Sequence, residues 1–110
     1  MEESRFGSEA SDRLKEAIAR KIEANPALLA IPLENIERWL AQGHSAPGRL
    51  EQWRAIILEA RATTKGMEAL LRLLRDPGEE ARHFRAFSPF AGVLTTLERR
   101  EIRAQCVFAH

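Results

Sequence analysis

Histidine, cysteine and clustered carboxylates are the side chains most able to do chemistry in a chain of this size, and the sequence holds few of them. There are three histidines, His44, His83 and His110, and a single cysteine, Cys106. Arg38 precedes His44 at short range. A cation to hold a phosphate and an imidazole to move a proton would suit cleavage of RNA. The setting argues against it, because Trp39 follows Arg38 directly and His44 follows Gly43 in a loop sequence. Glu79 and His83 stand four apart on one helical face, and Glu80 lies beside them. Zinc needs three or four ligands, and no second cluster completes such a site. Cys106 has no neighbouring His or Asp, which predicts a buried thiol and not a nucleophile. His110 is expected to fray. No glycine-rich phosphate cradle is present. The expectation is therefore no catalytic residue, no metal and no cofactor.

The elements that position these residues read as helices throughout. The 110 residues suit one domain, with 45% hydrophobic and 30% charged side chains. Ala, Leu, Glu and Arg abound, Tyr is absent, and Val occurs only at 93 and 107, a composition that favours helix over sheet. The predicted fold is all-α, a compact bundle of five or six short helices. Residues 1–10 read as a flexible leader and 11–110 as a single helical domain.

Ser11 is the predicted first cap, with Leu14, Ala17, Ile18 and Ile22 inward and Arg13, Lys15, Glu16, Arg20 and Lys21 outward. A buried helical turn is expected over 26–31. A helix follows from Pro32 to Gln42, with Leu33, Ile36, Trp39 and Leu40 on its core face and Gly43 at its end. Residues 43–48 form the clearest loop. The next helix carries Leu50, Trp53, Ile56, Ile57 and Ala60, and is interrupted at Thr63 and Thr64. Lys65 to Arg75 reads as the central helix, from its broad stripe of Met67, Leu70, Leu71, Leu73 and Leu74. Asp76, Pro77 and Glu79 form one helix-start signal, and Thr95 with Glu98 a second. The last helix should turn Leu97, Ile102 and Val107 inward. Trp39 and Trp53, on consecutive helices, are expected to anchor the core.

Charge is nearly balanced, with a net +1. Residues 1–60 hold eight basic against ten acidic side chains, and residues 61–110 nine against six. This tilt is well short of the basic stripe of a committed nucleic-acid binder. One cysteine permits no internal disulfide, and no apolar run reaches the length of a membrane span, so a cytoplasmic protein that does not enter a membrane is expected. Arg82, Arg85, Arg99, Arg100 and Arg103 fall on the last two helices, beside Glu79, Glu80, Glu98 and Glu101.

The segment from His83 to Glu98 is the most distinctive. Phe84, Phe87, Phe90, Val93 and Leu94 crowd a stretch that Pro89 and Gly92 keep from being helical throughout. An irregular segment this apolar either tucks into its own core or meets a partner. On the second alternative, Phe87, Pro89, Phe90, Val93 and Leu94 are the anchor, with Arg82, Arg85 and Arg99 steering the approach.

The pattern Asn35-Ile36-Glu37-Arg38-Trp39, Trp53 with Ile56-Ile57, Leu70-Leu71, Asp76 with Glu79-Glu80, Arg85, Ser88-Pro89-Phe90-Ala91-Gly92-Val93-Leu94-Thr95 and Glu98-Arg99 resembles a group of short bacterial proteins. They look like the antitoxin-like small partners encoded in toxin–antitoxin gene pairs. The resemblance covers about residues 30–102, and the Ser88–Leu94 stretch is its specific part. It implies a cytoplasmic regulator that binds and restrains a toxin-like protein partner, and it supplies no catalytic residue. The chain departs from typical antitoxins in showing no clear DNA-binding half or long disordered arm. Two further functions are carried as alternatives. One is a nucleic-acid-binding regulator with a helix-turn-helix within 32–75. The other is a helical ribonuclease using Arg38 and His44. A homodimer is also expected to suit so small a domain.

Overall fold

The computed structural model describes the backbone over residues 2–43 and 46–108, and side chains over 10–43 and 46–105. Six helices and no strand occur among the described residues: α1 (Glu2–Ala24), α2 (Ala30–Ala41), α3 (Pro47–Ala62), α4 (Thr64–Arg75), α5 (Glu79–Arg85) and α6 (Thr96–Phe108), with a 3₁₀ turn at Pro26–Leu29 before α2. The all-α bundle expected from composition and periodicity is the observed fold. No helix among the described residues is long and apolar enough to cross a membrane.

Helix α1 begins at Glu2, well before the expected cap at Ser11. The isolated Gly7 is tolerated inside a helix. Ser11 therefore lies within α1, and residues 2–10 continue it. Pro26 ends α1, and the expected helical turn follows, but only Leu29 of it is enclosed, while Pro26, Ala27 and Ala30 are exposed. Helix α2 starts two residues before Pro32, which falls in the first turn, where its missing N–H would have no intrahelical partner anyway. Gly43 closes α2 with φ +75, the left-handed position that glycine occupies without a steric cost.

Helix α4 packs against both α1 and α3, α6 lies along α1, and α2 lies on α3. The core is built from Ile18, Ala19 and Ile22 of α1, Ile36 of α2, Leu50, Trp53 and Ile57 of α3, and Leu70, Leu71 and Leu74 of α4. The junction between α3 and α4 is a single residue. Thr63 caps α4 by accepting from the Gly66 N–H at 2.8 Å. The turn is tight enough that a Cβ on Gly66 would stand 2.2 Å from the Glu59 carbonyl oxygen, so only glycine fits without a shift.

Trp53 is fully buried and ties the centre together. Phe84 meets its ring at 4.6 Å, Phe90 meets it edge-on at 5.3 Å, and its Nε1–H donates to the Phe87 carbonyl at 2.7 Å. Trp39 meets the ring of Phe87 at 6.4 Å, so both tryptophans serve the core through the same residue.

Two helix starts differ in detail. Asp76 accepts from the Gly78 N–H at 2.8 Å, but α5 begins at Glu79 with Gly78 in the cap position, and Glu79 does not close a reciprocal box. At α6 the box closes: Thr95 N–H donates to Glu98 Oε1 at 2.7 Å, and Glu98 N–H to Thr95 Oγ1 at 3.1 Å. Leu97 is 64% exposed and not inward, because it stands five residues from Ile102 and so on a different face of α6.

Candidate functional site

The Ser88–Leu94 segment is fastened to the bundle by polar contacts at three points. Asn35, buried in α2, donates from Nδ2 to the Pro89 carbonyl at 2.9 Å and to the Ala91 carbonyl at 2.8 Å, while its Oδ1 accepts from Arg38. Trp53 holds the Phe87 carbonyl from α3. Lys21 of α1 donates to the Val93 carbonyl at 2.8 Å and pairs with Glu98 at 2.7 Å. Between these fastenings, Phe90 to Val93 makes a turn closed by a 3.2 Å hydrogen bond, with Gly92 at φ +93.

Of the two alternatives for the segment, core or partner-facing anchor, the structure places most of its side chains in the core. Pro89, Phe90, Val93 and Leu94 are buried in the chain's own core, and Phe87 is half-buried against Trp39. An irregular segment satisfies few of its own backbone groups, so it can enter a core only where side chains supply the missing partners. Asn35, Trp53 and Lys21 supply them.

The steering arginines are also reassigned. Arg85 is 5% exposed and donates to the Leu73 carbonyl at 2.5 Å and the Asp76 carbonyl at 2.7 Å. These acceptors lie at the C-terminal end of α4, where helical carbonyls lack intrahelical partners, so Arg85 caps that helix. Burial pulls its guanidinium below the ordinary value, and the carboxylates of Asp12 and Asp76 oppose that shift. Arg82 is exposed and paired with Asp12 at 2.6 Å. Arg99 stays exposed at the start of α6.

Arg99 borders a pocket of about 200 Å³ between α1, the 88–94 segment and α6, with Leu14, Ile18, Phe90 and Leu94 among its walls. Three of the residues singled out in the sequence, Phe90, Leu94 and Arg99, thus meet at one place. The residue that sequence reading missed is Lys15, expected outward but half-buried in the same pocket. It has no hydrogen-bond or ion-pair partner among the described residues. Burial lowers its proton affinity most, and the positive charges of Arg85 and Arg99 lower it further. The signal was in the spacing: Lys15 precedes Ile18, Ala19 and Ile22 by three, four and seven residues, which puts it on the apolar stripe.

No known protein family, curated protein or solved structure matches the chain.

The remaining chemical candidates do not converge. Arg38 is engaged with Asn35, and His44, Cys106 and His110 lie outside the described side chains. Glu79, Glu80 and His83 are exposed together on α5, and no group of three or more potential metal ligands occurs among the described residues. The single residue joining α3 to α4 is shorter than the three- or four-residue turn of a helix-turn-helix, so that pair does not form the motif.

Proposed function

We propose that this chain is a small cytoplasmic, antitoxin-like regulator that restrains a protein partner without catalysing a reaction, and that it meets the partner on the α1–α6 face. The observation that carries this reading is the meeting of a half-buried Lys15, without a partner among the described residues, and an exposed Arg99 at the rim of one apolar-walled pocket. Cations beside a concave apolar surface give a partner both an orienting field and a place to bury a side chain. The buried 88–94 segment then acts indirectly, as the rigid wall of that face.

The test is recovery of the tagged full chain from its source cells at moderate salt, with stoichiometry. The expected result is one protein at a fixed ratio, toxic when expressed alone and tolerated when this chain is co-expressed. Its capture should be lost on Arg99→Glu, a change at an exposed position that leaves thermal unfolding in place. Recovery of the chain alone, or with nucleic acid that salt removes, would reject the reading.

A further inference from the structure

The carboxylates nearest Lys15 along α1, Asp12 and Glu16, and the one beside Arg99 on α6, Glu98, are engaged elsewhere. Asp12 holds Arg82 at 2.6 Å and faces Arg85 at 3.7 Å. Glu16 holds Arg75 at 2.6 Å. Glu98 accepts from Lys21 and from the Thr95 N–H. No acidic side chain is among those lining the pocket, whereas Lys15 and Arg99 both are. A half-buried cation without a counter-charge is a destabilising arrangement, and a lysine on an ordinary surface avoids it by extending its ammonium into water. Here the apolar stripe of α1 and the fastened 88–94 wall hold Lys15 inside the concavity.

Size narrows the occupant. At about 200 Å³ the pocket is smaller than those that enclose drug-sized molecules, which run from roughly 300 to 1,000 Å³. It has room for one side chain. Walls of Leu14, Ile18, Phe90 and Leu94 suit methylene groups, and the two cations suit a single negative terminus.

We infer that this pocket receives the carboxylate of one acidic side chain from a protein partner, held between Lys15 and Arg99 with its methylenes against Leu14, Ile18 and Phe90. The inference rests on the proposed partner being a protein. An arriving carboxylate supplies the counter-charge that Lys15 lacks, so binding restores the ammonium to its ordinary proton affinity.

The experiment is a nuclear magnetic resonance titration of the full chain with N-acetyl-glutamate amide, with the glutamine analogue and inorganic phosphate as comparisons. Saturable shifts of the Lys15 and Arg99 side chains and the Gly92 amide with the glutamate probe, absent with glutamine, are expected. Lys15→Met should weaken them by about tenfold or more, the loss of one charge-assisted hydrogen bond, while raising the melting temperature, which shows the variant is folded. Arg99→Gln should weaken them less. Equal shifts with glutamine, tighter binding of phosphate, no saturation, or shifts unchanged in Lys15→Met would each overturn the inference. Glutamate binding in a chain that captures no protein keeps the carboxylate site and rejects the partner reading. Protein capture undiminished by Lys15→Met keeps the partner and rejects the site.

Discussion

Asn35 donates to the carbonyl of Pro89 across 54 positions of sequence, and the same amide nitrogen reaches Ala91. The Asn35–Trp39 stretch of α2 and the irregular Ser88–Leu94 segment are therefore one structural unit. What they share is the support of an irregular wall. Asn35→Ala should leave the Pro89 and Ala91 carbonyls without this donor and cost about 2 kcal/mol of stability. Urea unfolding monitored by tryptophan fluorescence measures it, and a cost near zero would mean the amide does not hold the segment.

Lys15→Met should stabilise the unliganded protein, by about 1 kcal/mol, because it replaces a partnerless half-buried charge with an apolar side chain of similar length. The wild-type protein should also gain stability as pH rises from the lowered Lys15 value toward its ordinary 10.5, since the unfolded chain binds the proton more tightly over that window. Melting temperatures of both proteins across that window test the point, and the lysine contribution to the slope should vanish in the variant.

Glu98 should give a slope of the same sign, in the acid range. Its carboxyl is held below the ordinary value of 4.5, first by the hydrogen bond from Lys21 and then by the Thr95 N–H. The stability this contributes is complete above that value and is lost as pH falls through the lower, folded-state value. Glu98→Gln should flatten the acid side of the melting-temperature profile. Identical acid profiles for the two proteins would contradict the assignment.

Gly66→Ala should destabilise although alanine is the better helix former. The gain of about 1 kcal/mol in propensity is outweighed by a Cβ driven into the Glu59 backbone, for which overpacking costs of about 1–3 kcal/mol are typical. Thermal unfolding decides the sign, and a more stable variant would show that the α3–α4 junction yields easily.

Phe90→Ala removes a ring packed edge-on against Trp53 and should cost about 3–5 kcal/mol. Calorimetry is the measurement. A well-folded variant of unchanged stability would return the segment to the surface role that its sequence suggests.

The sequence by itself determined the helices and most of their limits. Thr95 and Glu98 identify a cap, Gly43 a stop, and the Leu70, Leu71 and Leu74 stripe a central helix, because each signal acts within a turn or two of its own chain. It also marked 83–98 as unusual. What it left open was which side chains face one another, and there the tertiary structure decided. Arg85 reads as a surface cation until the end of α4 is placed beside it, and Asn35 as a polar helix residue until 88–94 lies across it. Lys15 sits on an apolar stripe in sequence, but only the fold shows that its neighbouring carboxylates are committed to other partners. Local hydrogen bonding and periodicity are properties of consecutive residues. The environment of a polar side chain is set by groups dozens of residues away, so the pocket existed only once the bundle closed.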